Sequence, residues 1–275
     1  MKKKEFNYIT AQDRAHMPSG TNKILNRRNL SNANRHLKEL IKPGMRILDV
    51  GCGSGSITAD IAVFLKGDCE VVGLDINESL IKEASQNHAG QKGLTFVCSA
   101  LKAMNYHDQF DIVAAARVLQ WVPDYKTLLN EMNQSLKKGG TLQVLDYNHK
   151  KAVWNPTIPA TMQKFYNSFL DWKENAGMDN EIIDHLSPSF EALSLKDIKV
   201  IDQVEISKKE DPDFVQSMQI WSDVARYRGP KIVQDGFIAE NVRLQAIEDY
   251  EAWIKNKAVS QILYLKSISG VKIVL

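Results

Sequence analysis

The stretch Asp49-Val50-Gly51-Cys52-Gly53-Ser54-Gly55 places three glycines at every second position behind a carboxylate. Glycine at that spacing allows a tight turn with positive φ and removes the Cβ where a ligand must touch backbone. A second acid, Asp75, closes the run Val71-Val72-Gly73-Leu74 and stands 26 residues after Asp49. A carboxylate at such a strand end accepts ribose hydroxyls in nucleotide folds. Dinucleotide loops that hold pyrophosphate read G-x-G-x-x-G. Here the third glycine comes one residue early, at Gly55, and Ser56 stands where that pattern needs glycine. Cys52 lies inside the loop, where its backbone N–H rather than its thiol is expected to meet the ligand.

Such a loop works only between a strand and a helix, and the flanks supply both. Met45–Val50 is a short apolar strand. Ser56–Leu65 has Ile57, Ile61, Phe64 and Leu65 at helical spacing, closed by Lys66-Gly67. Strands are expected at Glu70–Leu74, Leu94–Cys98, Phe110–Ala116 and Thr141–Leu145, with helices at Glu78–His88 and Tyr125–Lys137. Asp124 caps the latter, its apolar face is Leu128, Leu129, Met132 and Leu136, and Gly139-Gly140 ends it. Alternation of this kind predicts a parallel sheet covered on both faces, with ligands at the carboxyl ends of its strands. After Tyr147 the alternation stops. Lys150–His185 reads as aromatic and helical, Ile198–Ile206 as a sixth strand, and Asp211–Tyr227 and Asn241–Lys255 as helices. Ile262–Ile268 and Val271–Leu275 would complete the sheet.

Composition narrows the class. The chain has 275 residues, 44% apolar and 25% charged, enough to bury a core without disulfides or metal. Three scattered cysteines and no apolar run of membrane length point to a reducing, cytoplasmic protein. No apolar segment follows the basic N-terminus, so no signal peptide is expected. Residues 1–43 hold ten of the basic residues against three acids, although the net charge of the whole is +2. Such an arm either holds an anionic ligand or nucleic acid, or is a solvated tail.

The D-x-G-x-G-x-G string from Asp49 to Gly55 resembles motif I of the class I S-adenosylmethionine-dependent methyltransferases. Phe96–Ala100, Phe110–Val113, Arg117–Asp124 and Leu136–Leu142 resemble that family's later segments, in the same order. The resemblance covers residues 45–147. It implies a Rossmann-like, doubly wound, seven-stranded and mostly parallel α/β sheet with helical lid insertions. The chain then reads as one domain over 1–275, its core near 38–148, 196–207 and 259–275 and its lid segments at 1–30, 150–185 and 211–258. The resemblance also implies that S-adenosylmethionine binds, leaving S-adenosylhomocysteine as product. Asp49, Gly51, Cys52, Gly53, Gly55 and Ser56 would form its loop, and Asp75 and Ile76 its ribose side. Ser99, Ala100 and Leu101 would meet the adenine, Ser99 replacing the acid usual there. Arg117 and Val118 follow the fourth strand, and Tyr8 and Arg14 of the arm could reach the cofactor carboxylate.

Leu119-Gln120-Trp121-Val122-Pro123-Asp124 is similar to the string in trans-aconitate and malonyl-carrier-protein methyltransferases, which act on carboxylates. It places Gln120 and Trp121 at the acceptor. Arg226 and Tyr227, with Arg228, could clamp a carboxylate from a lid helix. His149, just past the fifth strand, is a candidate base, against the reading of a hydrogen-bonded histidine. The Asn/Asp-Pro-Pro-Tyr motif for planar amino nitrogens is missing, and Arg117 stands where metal-dependent enzymes carry an acid, so no metal is expected. The expected function is methyl transfer to a small organic molecule by a monomer or homodimer, without nucleic acid or membrane. The alternatives are an RNA methyltransferase using the basic arm and a cofactor-binding protein without turnover.

Overall fold

The computed structural model describes residues 8–17, 25–101 and 104–273, with the backbone alone at 8–10. They divide into two compact units. The helical unit takes the described residues within 1–21, 147–181 and 204–264; the sheet unit takes those within 22–146, 182–203 and 265–275.

The chain begins with α1 (Tyr8–Ala15), which belongs to the helical unit, and then enters the sheet unit with α2 (Leu30–Ala33) and α3 (Arg35–Leu40). β1 (Arg46–Val50), α4 (Ser56–Phe64), β2 (Glu70–Asp75), α5 (Glu78–Asn87), β3 (Leu94–Cys98) and β4 (Phe110–Ala116) follow. Next come α6 (Tyr125–Ser135), β5 (Leu136–Asn155), α7 (Ala160–Asn175), α8 (Ser187–Ala192), β6 (Leu195–Asp202) and β7 (Glu205–Lys208). The order ends with α9 (Phe214–Met218), α10 (Ile220–Tyr227), α11 (Gly229–Gln234), α12 (Glu240–Asn256) and β8 (Ser260–Lys272). The sheet order is β3-β2-β1-β4-β5-β8-β6, with β7 pairing β8 off that path. The pairings from β3 through to β5 are parallel, and β6 and β7 pair β8 antiparallel. The expected sheet is therefore present, with an eighth strand.

Period-two alternation explains why both faces are covered. Ile47, Ile112 and Ala114 bury on one face with Leu30, Leu37, Ile61 and Leu65. Leu48, Val50, Val113 and Ala115 bury on the other with Leu128, Leu129 and Met132 of α6. Each large aliphatic side chain so buried stabilises the unit by about 1.5–3 kcal/mol.

Several boundaries differ from those expected. α6 stops at Ser135, because Leu136 already pairs with Phe110; the register then shifts before Thr141 pairs with Ile112. The intervening Gly139 takes φ 79°, so a strand irregularity, and not a helix end, uses the Gly-Gly pair. β5 runs on to Asn155, beyond the expected end at Leu145. Lys151, Val153 and Asn155 are exposed while Ala152 and Trp154 are half-buried, the alternation of a strand in a segment read as helical. The sixth strand candidate is present as β6 and β7, which pair β8 in one register, with the Gln203 N–H donating to Leu265 O between them. The two final strand candidates are one, β8, with Gly270 inside it; Val274 and Leu275 lie outside the described residues. The helix expected over Asp211–Tyr227 is α9 and α10, which meet at Gln219.

In the helical unit the aromatic residues of α7 supply the core: Phe165, Tyr166, Phe169 and Trp172 are buried, as are Trp221, Tyr250 and Trp253. Tyr166 lies edge-on to Trp154 at 5.0 Å and to Trp221 at 4.5 Å, geometries that add to simple burial. Among the described residues no helix is long and apolar enough to cross a membrane, and no group of three or more His, Cys, Asp and Glu could hold a metal ion.

Candidate functional site

β1 and β2 are in register so that Asp49 lies beside Gly73 and Val50 beside Leu74, which brings the glycine loop next to Asp75. The chain turns at once. Gly51 and Cys52 both donate their N–H to Leu74 O, at 2.7 and 3.0 Å, and Gly55 N donates to Cys52 O at 3.0 Å. The Cys52 N–H is therefore engaged by the protein, which corrects the expectation that it meets the ligand. The thiol is no nucleophile either: burial, then the charges of Asp49 and Asp75, push it well above its ordinary range.

The three glycines serve different ends. A Cβ on Gly51 (φ +74) would lie 2.5 Å from a Val118 methyl, and one on Gly55 (φ +76) would lie 2.5 Å from the Phe96 ring. Those two positions are closed by the protein's own packing. Among the described residues, a Cβ on Gly53 (φ +56) would meet a Leu25 methyl, at 3.3 Å. Gly53 is thus the least obstructed of the three, its nearest described neighbour being a flexible leucine side chain. Its N–H donates to Asp75 Oδ2 at 2.9 Å, while Asn77 N donates to Oδ1 at 2.9 Å. A carboxylate can accept about four hydrogen bonds, so each Asp75 oxygen keeps capacity for a hydroxyl.

Asp49 is buried and accepts from Thr58 Oγ1 at 2.7 Å. Burial pushes its carboxyl up to about 6, with the Asp75 charge adding to the rise and the Thr58 hydroxyl opposing it. Such a group favours a nearby cation. The N-cap of α4 is Gly55, which has no side chain to cap the first turn. Ser56 Oγ reaches Ser54 Oγ at 3.4 Å and Asn26 Oδ1 at 3.5 Å.

Ile76, half exposed, follows Asp75. Ser99 N donates to Asp75 O at 3.0 Å, next to exposed Ala100, and Leu101 packs against the core. Past β4, Arg117 has φ 63°, donates N–H to Leu145 O, and directs Nη1 at Ala33 O, 3.1 Å away. The fold thus assigns Arg117 a carbonyl of α2 as partner. Val118 is the side chain that fills the space over Gly51. Gln120 is buried, its N–H donating to Asp146 Oδ2 at 3.1 Å, and Trp121 is half-buried.

The candidates in the helical unit fare differently. The side chain of Tyr8 lies outside the described residues. Arg14 is buried and faces its own unit: Nε donates to Asp235 at 3.2 Å, Nη1 donates to Asn175 Oδ1 at 3.1 Å and to the Trp172 carbonyl, and the guanidinium lies over the Trp172 ring. That environment replaces the expected cofactor contact. Arg226 pairs with Asp223 at 3.2 Å and Glu251 at 2.6 Å, so its fork is engaged within the unit. Arg228 is buried against the Arg14 carbonyl, and Tyr227 is half-buried. His149 is buried, stacked on Tyr147 at 4.8 Å and edge-on to Phe169 and Trp221. Burial, then the charge of Lys173, holds its imidazole well below the ordinary range, so it is neutral at pH 7. Trp221 carries a buried indole N–H that has no partner among the described residues.

Thr58, Asn77 and Asp146 were missed from sequence. None has a spacing signal; each is found only through the group that it holds.

A family model described as a methyltransferase domain matches residues 41–219. The chain belongs to that family. A demethylmenaquinone methyltransferase of Staphylococcus aureus (strain MRSA252) is 30% identical over 133 residues, 48% of this chain and 53% of that protein. One from Lactococcus lactis is 30% identical over 125 residues, 44% and 47%. The chain thus spans about half the length of the curated relatives it matches. Among solved structures, Haemonchus contortus phosphoethanolamine N-methyltransferase 2, in complex with phosphomonomethylethanolamine and S-adenosylhomocysteine, has a TM-score of 0.55 at 18% identity, over 97% of this chain and 57% of that one. The [4+2]-cyclase SpnF has a TM-score of 0.50 at 16% identity, over 92% and 80%. These likenesses concern the fold.

Proposed function

We propose that the chain binds S-adenosylmethionine on the glycine loop and transfers its methyl group to a small organic acceptor. The open side of Gly53 beside Asp75 carries this reading. Family membership supports it, as does the S-adenosylhomocysteine named for a structure of the same fold. When bound, the cofactor supplies a methyl on a sulfonium, with a good leaving group already in place. Gly53 lets backbone approach it, Asp75 accepts hydroxyls with the lone pairs that Gly53 and Asn77 leave, and Asp49 favours a cationic group. Alignment of the acceptor and exclusion of water supply the rest, worth about 7–11 kcal/mol in well-oriented reactions.

For the acceptor, the resemblance of Leu119–Asp124 supports a carboxylate, which needs no base. The relatives named for demethylmenaquinone support a quinone-type acceptor instead. A second reading, cofactor binding without methyl transfer, is favoured by the likeness to a cyclase, because a fold alone does not fix its chemistry. Calorimetric titration with S-adenosylhomocysteine tests the first half of the proposal. A panel of small acids, phenols, amines and demethylated quinones with labelled cofactor, read as S-adenosylhomocysteine release, tests the second. Absence of binding overturns the cofactor reading; binding without turnover on any acceptor leaves the second reading in its place.

A further inference from the structure

Four buried side chains of the sheet unit form a chain of hydrogen bonds, closed into a ring only through the backbone of α3, whose polarity is set by one backbone N–H. Asn34, His36, Gln143 and Ser267 are all 3% exposed or less. Asn34 caps α3, so its Oδ1 accepts from Leu37 N at 3.3 Å. Its Nδ2 must then donate, and it donates to Gln143 Oε1 at 3.2 Å. Gln143 Nε2 returns one proton to Asn34 Oδ1 at 3.1 Å and gives the other to Ser267 Oγ at 2.6 Å. The Ser267 hydroxyl proton is left for His36 Nδ1, 2.8 Å away. On that assignment His36 Nδ1 is the acceptor, and the imidazole is neutral with its proton on Nε2. His36 adjoins Leu37, so the circuit closes on α3.

The same segment meets the candidate site. Ala33, which precedes Asn34, accepts from Arg117 Nη1 at 3.1 Å. Arg117 holds a left-handed backbone (φ 63°), a conformation that persists for an arginine only where neighbours hold it. The next residue is Val118, packed over Gly51. Leu30 N, at the start of α2, donates to Asp60 Oδ2 of α4 at 2.7 Å, a second tie to the glycine-loop helix.

We propose that His36, Ser267, Gln143 and Asn34 position Arg117 and the glycine loop for the cofactor, and do so only while His36 is neutral. Protonation would put an N–H at Nδ1 against Ser267 Oγ. That oxygen could accept it, but the serine's own proton would then lose His36 as its acceptor in a buried place. The charges facing the imidazole are Glu39 on α3, which favours protonation, and Lys199 on β6, which opposes it; β5 and β8 present the uncharged Gln143 and Ser267. Burial outweighs both and keeps the imidazole below its ordinary range. The sign follows. At pH 7 and above the ring is intact, and it opens as pH falls below the ordinary histidine value.

The inference rests on the cofactor reading for its consequence but not for its geometry, and two measurements separate them. The first is hydrogen exchange of the wild-type protein at about pH 7.5 and about pH 5.5, corrected for intrinsic rates. Acid should expose residues 33–37 and 51–55 together while 110–116 stay protected. The second is calorimetric titration with S-adenosylhomocysteine at the same pH values, for wild type and His36→Asn. The Asn Oδ1 can accept from Ser267 and does not titrate. The affinity ratio between the two pH values should be at least about threefold larger in wild type, because protonation of Asp49 acts on both proteins alike. Equal ratios, or acid exchange that opens neither segment, overturn the proposal. If His36→Asn does not fold, the wild-type exchange experiment decides it. If S-adenosylhomocysteine binds at neither pH, the cofactor reading fails while the exchange result still judges the ring.

Discussion

In the sheet unit, Asp49 accepts from Thr58 of α4, Asp75 accepts from Gly53 and Asn77, and both keep acceptor capacity. In the helical unit, Arg14, Arg226 and Arg228 close onto acids and carbonyls of that same unit. Both units carry candidate charges; only one leaves acceptor capacity beside an open glycine. The difference lies in what constrains each residue. Around the loop, backbone geometry fixes residue types position by position, so a motif has few other uses. A buried arginine must find partners wherever it lies, and the nearest ones belong to its own unit. Residue type alone therefore says little about a ligand, whereas residue type tied to a positive φ says much.

The sharpest way to break the comparison is at Gly51. Gly51→Val drives a side chain into Val118, and the expected outcome is loss of the folded state, seen as absence of a cooperative thermal transition. Gly53→Ala should fold and lose cofactor affinity. Equal stability of the two variants would dissolve the distinction between a packing glycine and a ligand glycine.

Asp49→Asn comes next. A carboxyl raised to about 6 by burial resists ionisation in the folded state. Ionisation then costs stability as pH rises from the unfolded value through 6, and the cost is fully present at pH 7.5. The Asn variant should be more stable there, by roughly 3 kcal/mol, with the gap closing toward pH 4. It should also bind S-adenosylhomocysteine more weakly. Urea unfolding at the two pH values checks the first effect, and a pH-independent gap would show that Asp49 is solvated. Arg14→Ala should destabilise by about 2 kcal/mol, since hydrogen bonds to a buried charge are lost, and leave S-adenosylhomocysteine affinity within about twofold. A selective loss of affinity instead would return Arg14 to the cofactor. Asp75→Ala should weaken S-adenosylhomocysteine at least about tenfold, or 1.4 kcal/mol. The smallest effect is expected from Arg226→Ala. Its ion pairs are partly exposed, so stability should fall by less than about 1 kcal/mol, and acceptor KM should not move.

The order of strands and helices from β1 to α6 was legible because apolar alternation and glycine placement act locally. Asp49, Gly53 and Asp75 were legible for the same reason. The end of β5 was not. Ala152 and Trp154 turn inward on a strand, but their aromatic neighbours Phe165, Tyr166 and Phe169 follow at helical spacing, and the two patterns run together in sequence. β6 and β7 read as one strand because both pair β8 in a single register, which the Gln203 N–H bond to Leu265 O carries across the gap between them. The circuit around Gln143 was invisible because its partners come from distant parts of the chain, and Thr58, only nine residues from Asp49, sits in α4 with no spacing signal to mark it. Arg14 failed because a charge count cannot say which way a guanidinium turns.

β8 lies between β5 and β6 in the sheet, although it follows β6 in the chain by more than fifty residues. During synthesis β6 therefore emerges with no neighbour to pair with and must wait, its edge open, for β8 to leave the ribosome. Until then Ser267 is absent and His36 and Gln143 lack their shared partner. The polar ring is thus a late-forming checkpoint of assembly. Nascent chains stalled before β8 should be a vulnerable species, prone to capture by chaperones or proteases through that unpaired strand.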